Sequence, residues 1–310
     1  MAEPPQAVRD LVAERQAARE RRDYARADAL RAELRAAGWL VSDTPAGPEL
    51  AAAPPWQAVD PAALAPRWDE PDQREVSVVV HVAGWPRDVA RAVAALAARC
   101  GGVDYEVVLV DDGVEEAAGR ALEDLARTDE RVRVLHLEPA IGFGAAMNLG
   151  MGQALGRVLV WLDPHVEATG DLLGPLLEAL GRPGAGLAGG WGVVTTSLLE
   201  FEADQGPEVD AVEGYLLAVP RALAARVGVD ARHRYYRNAD LDYSFAVRAL
   251  GYRAYRVDVP ATRHRHRAFH ETDPTERDRW SKKNYDRFLS RWKQRTDLLT
   301  RGFRGYHRHR

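Results

Sequence analysis

From Val76 onward the apolar positions fall into short runs separated by amphipathic stretches. VSVVVHVA at 76–83, YEVVLV at 105–110, VRVLHL at 132–137 and Arg157 to Leu162 are Val-rich and bounded by polar or glycine residues, the pattern of buried strands. Between them, Asp88 to Arg99 repeats Val89, Val93 and Leu96 at helical spacing, and Glu115 to Ala126 and Ala145 to Ala154 read as further helices. Gly156 is expected to end the last of these, as a residue without Cβ does cheaply. This alternation predicts an α/β domain: a mostly parallel sheet with helices on both faces and right-handed crossovers. Upstream, Val8, Leu11, Val12 and Ala18 mark one helical stripe, and Tyr24, Ala27, Leu30, Leu34 and Ala37 a second. Asp23 is the expected N-cap of the second helix and Gly38 its stop, giving a helical hairpin over 1–43. Two short helices bury little surface, so this unit is expected to lean on another.

Composition sets the boundaries. Seven of the eighteen prolines lie between residues 44 and 75, which predicts an extended linker and a chain that folds by itself when begun near Arg74. The α/β domain is expected over 76–293, followed by a basic tail over 294–310. The length of 310 residues and 46% hydrophobic content suffice for a sizeable core, and a net charge of −4 gives no global field for nucleic acid. Beyond Ala261 the chain is nevertheless rich in Arg, His and Lys. A single cysteine, Cys100, excludes an intrachain disulfide and fits a reducing compartment. The start lacks a signal-peptide pattern and no apolar run is long enough to span a bilayer, so the expectation is a cytoplasmic protein. The basic helix around Trp280 to Lys293 is open to peripheral contact with acidic lipid at the inner membrane face, or to plain packing by its aromatics.

Carboxylates stand at two strand ends. Asp111 and Asp112 follow the second strand, and Asp163-Pro164-His165 follows the fourth. Ligands of open α/β sheets bind beyond the carboxyl ends of the strands. Asp163 is also a natural turn former, but two acidic ends on one sheet edge suggest a nucleotide and a metal-bridged diphosphate. His264 and His266 alternate along an extended segment and so face opposite sides.

The order of these segments resembles family 2 glycosyltransferases with the GT-A fold. VSVVVHVAGW is similar to the family's first strand, YEVVLVDDG to its nucleotide-binding strand end, and GFGAAMNLGMGQALGRVLVWLDPH to its helix and metal-motif strand. VEGYLLAVPRALAARVGVD, RNADLDYSFAVRALGYRAYRV, RHRH and NYDRFLSRWK resemble the acceptor segment, the catalytic helix, the late histidine and the tail. GFGAAMNLG looks closest to rhamnosyltransferase-like members. The resemblance implies an inverting sugar transfer from a nucleotide-diphosphate donor to a saccharide or other hydroxyl acceptor. It implies Asp240 as catalytic base, nucleotide contacts from Asp111, Asp112, Gly142 and Asn148, and a divalent cation, Mn²⁺ or Mg²⁺, on Asp163, His165 and His264. Asn238 is the expected N-cap of the catalytic helix, and Asp242, about 200° from Asp240 around that helix, is expected to be structural. His165 stands where the family motif has a second carboxylate, which favours Mn²⁺ over Mg²⁺ or leaves the site without metal. This departure, with Ala239 before Asp240, keeps a catalytically weakened nucleotide-binding scaffold as the alternative. The hairpin resembles the C-terminal subdomain of cysteinyl-tRNA synthetases in its D-x-A-x-A-D-x-x-R-x-x-L helix and following D-T-P-x-G, which suggests an RNA-contacting module or a protein-docking hairpin.

Overall fold

The computed structural model describes residues 4–44, 47–54 and 56–306 and divides into two units, 1–57 and 58–310. In the smaller unit, helices α1 (Gln6–Glu20) and α2 (Tyr24–Ala36) form the expected hairpin, with the Asp23 carboxylate accepting from the Arg26 amide as N-cap. Val8, Leu30 and Leu34 are buried. The unit continues past the hairpin. Strands β1 (Trp39–Thr44) and β2 (Gly47–Ala52) pair antiparallel, and Val41 joins the core of Val8 and Leu34. The first part of the expected linker is therefore a strand pair.

The second part is bound to the larger unit. Residues 58–73 make one turn of 3-10 helix at Pro61–Ala63 and a bridge between Val59 and Leu137. Arg221, 5% exposed, then holds the segment. Its guanidinium donates to the Ala154 carbonyl (3.1 Å), the Glu70 carbonyl (2.7 Å), the Asp72 carboxylate (3.1 Å) and the Arg67 carbonyl. Gln153 donates to the Ala65 carbonyl (2.7 Å), and Trp68 packs on the core. Prolines remove backbone donors, so a Pro-rich segment reads as unpaired; here side chains of the folded domain supply the pairing.

The larger unit is built on β3 (Arg74–Val82), α3 (Pro86–Arg99), β4 (Tyr105–Asp111), α4 (Glu116–Thr128), β5 (Val132–His136), α5 (Phe143–Gln153) and β6 (Gly156–Leu162). There follow β7 (Val166–Ala168), α6 (Leu173–Leu180), β8 (Ala185–Gly189), β9 (Gly192–Val194), β10 (Glu202–Ala203), β11 (Glu208–Val209), β12 (Ala211–Val212) and β13 (Leu216–Pro220). The last elements are α7 (Arg221–Ala224), α8 (Ala239–Arg248), β14 (Arg253–Arg256), β15 (Ala261–Arg263), α9 (Arg267–His270) and α10 (Pro274–Trp292). The main sheet has the order β11-β14-β8-β13-β6-β3-β4-β5. Its β6-β3-β4-β5 half is parallel as expected, whereas β13 runs antiparallel to both β6 and β8. Alternate residues feed two cores. Val78, Val80 and Val82 face α3 and α6, while Val79, Val108 and Trp161 face α5, α8 and α10.

Three local expectations change. Gly156 does not cap α5, which ends at Ala154. It opens β6 where a Cβ would meet the Ser77 backbone nitrogen at 2.3 Å, so glycine permits the close β3–β6 approach. Asn238 is the N-cap residue of α8 as expected, at φ 64°, but its side chain makes no capping hydrogen bond and donates to the Ser281 carbonyl instead. Beyond 293, Leu298 and Leu299 are buried and Arg248 donates to the Leu298 carbonyl, so the start of the expected tail joins the core.

Candidate active site

Because β3, β4 and β6 are parallel, their carboxyl ends converge on one edge. Asp111 and Asp112 are there, but both are engaged in building the edge. Asp111 accepts from the Gly113 and Val114 amides (3.1 and 2.8 Å) and pairs with buried His136 (2.6 Å). Asp112 accepts from the Ile141 and Gly142 amides (2.6 and 2.9 Å) and lies 3.1 Å from His81 Nε2. It thereby ties the loop before α5, Gly142 included, to the end of β4. Asn148 is elsewhere: its amide exchanges two 2.7 Å hydrogen bonds with the Val229 backbone. Asp111, Asp112 and Asn148, expected to contact the nucleotide, each have internal partners in the structure. A carboxylate at a strand end looks the same in sequence whether it serves a ligand or a turn.

At the end of β6, Asp163 gathers two histidines. Its Oδ1 accepts from the His165 amide and from His165 Nδ1, both at 2.8 Å, and its Oδ2 meets His266 Nε2 at 2.9 Å. The tautomers follow from the far sides of the rings. The Arg267 amide donates to His165 Nε2 (3.0 Å), and the Phe269 amide donates to His266 Nδ1 (3.2 Å). An N–H can only donate, so in this geometry each ring presents its far nitrogen as an acceptor and its N–H toward Asp163. Burial alone would push the Asp163 carboxyl up; the hydrogen bonds from His165 and His266 outweigh it and hold the carboxyl well below its usual range. The two rings stack at 4.5 Å, and Tyr236 stacks on the other side of His266 at 4.6 Å. Asp163, His165 and His266 each offer one ligand atom, all within 4.8 Å of one another, a candidate site for a divalent cation.

His264, expected in that set, is not part of it. β15 pairs antiparallel with β7, and this register sends His264 to Glu167 (2.6 Å) and His266 to Asp163. The alternation of the two histidines was legible; which one faces the cleft depends on a pairing between segments nearly a hundred residues apart.

Asp240 opens α8 from the other side. Its Oδ2 accepts from the Gly214 amide (2.8 Å), and its Oδ1 from the Leu241 amide (3.0 Å). The Gly214 site has its Cβ position 3.3 Å from Asp240 Cβ, so a side chain there would crowd the carboxylate. Burial pushes the Asp240 carboxyl up, and the two amides offset this only in part. Nearby Glu213 is also pushed up, by burial first and by the charge of Asp240 second. Asp242 points away. It is 3% exposed and accepts from Trp292 Nε1 (2.7 Å) and Arg291 (3.1 Å), which bolts α10 to α8. A cavity of about 440 Å³ is lined by Asp163, His266, Glu213 and Asp240 together with the rings of Trp161 and Tyr236. Glu213 and Tyr236 escaped the sequence reading, although Glu213 lies in the VEGYLLAV segment and Tyr236 belongs to an aromatic pair just before α8.

Known proteins share these features. The family described as Glycosyl transferase family 2 matches residues 77–213, and the Cysteinyl-tRNA ligase anticodon binding domain matches residues 1–47. A protein of Mycobacterium tuberculosis described as a putative glycosyltransferase is 33% identical over 96 residues, 28% of each chain. N-acetylgalactosaminyltransferase 6 of Drosophila melanogaster is 40% identical over 77 residues, 24% of this chain and 12% of that one. This chain thus spans well under a third of either curated relative. Among solved structures, GalNAc-T7 with UDP, GalNAc and Mn²⁺ superposes with a TM-score of 0.57 at 18% identity, covering 70% of this chain and 48% of that one. No helix among the described residues is long and apolar enough to cross a membrane. By fold the larger unit is of the GT-A type, and residues 77–213 within it match the family 2 glycosyltransferase model.

Proposed function

We propose that the chain is an inverting, Mn²⁺-assisted glycosyltransferase that moves a sugar from a nucleoside diphosphate to an acceptor hydroxyl, with Asp240 as base. The observation that carries this reading is that one cavity joins the Asp163–His266 cluster to a carboxylate fixed at a helix start. As the acceptor oxygen attacks the anomeric carbon, its proton passes to Asp240 and the electron pair of the breaking C–O bond leaves on the diphosphate. A single displacement of this kind inverts the anomeric centre. The raised proton affinity of Asp240 suits a base that must compete for an alcohol proton. The nitrogen-rich donor set of Asp163, His165 and His266 fits Mn²⁺ better than Mg²⁺, which prefers oxygen. A divalent cation held there would neutralise diphosphate charge.

The smaller unit has eight arginines against nine Asp and Glu over residues 1–57. Arg15 and Arg19 pair with Asp43, and Arg26 with Glu14 and Glu33. With these three arginines paired internally and no excess of positive charge, this unit is better suited to a protein partner than to RNA phosphates.

A donor panel tests the reading. The GalNAc-transferase relatives direct the first trials to UDP-N-acetylhexosamines, with UDP-hexoses and dTDP-rhamnose as further arms. One donor is expected to raise the melting temperature and release its nucleoside diphosphate in Mn²⁺, with a smaller effect in Mg²⁺. Nucleotide binding without turnover of any donor, across saccharide and other hydroxyl acceptors, would instead leave a nucleotide-binding scaffold.

A further inference from the structure

Behind the cluster lies a carboxylate that the proposed chemistry does not use. Asp88, in the first turn of α3, is 3% exposed. Its Oδ1 pairs with Arg91 Nη1 at 2.7 Å. Its Oδ2 has no hydrogen-bond partner among the described residues, although Arg267 Nε lies 3.2 Å away. That oxygen, ion-paired with Arg267 but without a hydrogen bond, stands 3.8 Å from His165 Nε2, the ring nitrogen that faces away from Asp163. A buried carboxylate oxygen that accepts no hydrogen bond is only partly satisfied, so its placement beside the ring calls for a reason.

We propose that Asp88 is a positioning residue that makes His165 competent to bind the cation, by accepting the Nε2–H that ligation requires. This inference rests on the metal centre proposed above. The nitrogen of His165 that faces Asp163 is Nδ1, which now carries the proton. An imidazole can ligate only through a lone pair, so sharing a cation with Asp163 through Nδ1 moves the ring proton to Nε2. The Arg267 amide, which now donates to Nε2, then faces another donor and must give way. Asp88 Oδ2 is the acceptor at hand for the relocated proton. A carboxylate behind a metal-bound histidine fixes the ring and its tautomer, and removing such a partner typically costs about 10–100-fold in metal affinity. The backbone amide at 267 and the Asp88 carboxylate therefore favour opposite tautomers of the same ring, one without metal and one with it.

The test is Mn²⁺ affinity of the full chain without nucleotide, read from the paramagnetic resonance of free Mn²⁺, with metal-free melting as a check on folding. Asp88→Ala is expected to weaken Mn²⁺ by about 10–100-fold, and Asp88→Asn, whose amide oxygen still accepts, to recover most of the loss. Arg267→Pro deletes the competing amide at the first position of α9, where proline suits a helix start; it is expected to bind Mn²⁺ more tightly than Arg267→Ala, which keeps the amide. Wild-type affinity in both Asp88 variants overturns the proposal, as does an Asn variant as weak as the Ala variant, because the loss would then follow charge rather than the acceptor. His266→Ala separates the two levels. If it binds Mn²⁺ as the wild type does, or if the wild type binds none, the metal centre itself falls and the role of Asp88 with it.

Discussion

Asp240→Asn is expected to lower sugar transfer by about 10²–10⁴-fold, the usual worth of general-base assistance, while donor affinity stays near that of the wild type. Asparagine keeps an oxygen that can accept from the Gly214 amide, so the anchor at the start of α8 survives, while the acceptor for the Leu241 amide and the basicity are lost. The shift of Asp240 adds a sign. Because burial raises its folded-state pKa, the folded state prefers the protonated carboxyl. That contribution to stability is present below the unfolded-state pKa and is lost as pH rises through the raised value. At neutral pH the ionised side chain is therefore a cost, and the Asn variant should melt no lower than the wild type. The acid limb of the wild-type pH–rate profile should lie above the ordinary carboxylate range for the same reason. Unchanged transfer in the Asn variant would remove Asp240 from the mechanism.

The second large effect concerns where the transferase domain begins. A chain starting at Ala58 is expected to melt close to the full chain, whereas one starting at Arg74 should be destabilised by about 3–5 kcal/mol, the usual effect of removing the partners of a buried charge. Arg221 would lose the Arg67 and Glu70 carbonyls and the Asp72 carboxylate while remaining in the core. Domains of this kind are stable by only about 5–15 kcal/mol, so such a loss would bring the shorter chain close to unfolding at physiological temperature. Denaturant unfolding of the two chains decides the matter: equal midpoints would mean that residues 58–73 act as a tether after all.

These cases show what the sequence could and could not convey. The strands and helices of the parallel half were legible because their signals are local, a Val-rich run along β3 and a period of 3.6 along α3. Asp163 stood out as a candidate because it follows a buried strand at a carboxyl edge. Where the structure adds to the sequence reading, it does so through long-range partners. His264 and His266 differ only in how β15 meets β7. Asp111 and Asp112 look like ligand groups until the amides of Gly113, Val114, Ile141 and Gly142 are found on them. The prolines of 58–73 suggest a free segment because the compensating donors sit on Arg221 and Gln153, far along the chain. A local signal was nevertheless present there. Trp68 is a large aromatic side chain in a stretch of Pro and Ala, and such a residue usually has a core to join.

The central claim, that the edge formed by Asp163, His165 and His266 binds a donor diphosphate through a cation, is tested most directly by calorimetric titration of UDP in Mn²⁺ and in a chelator. Mn²⁺ is expected to tighten UDP binding to the wild type and to His264→Ala, and to leave His266→Ala and Asp163→Asn unchanged from their metal-free values. UDP affinity that is the same with and without Mn²⁺ in the wild type, or a Mn²⁺ effect lost in His264→Ala and kept in His266→Ala, would contradict the account.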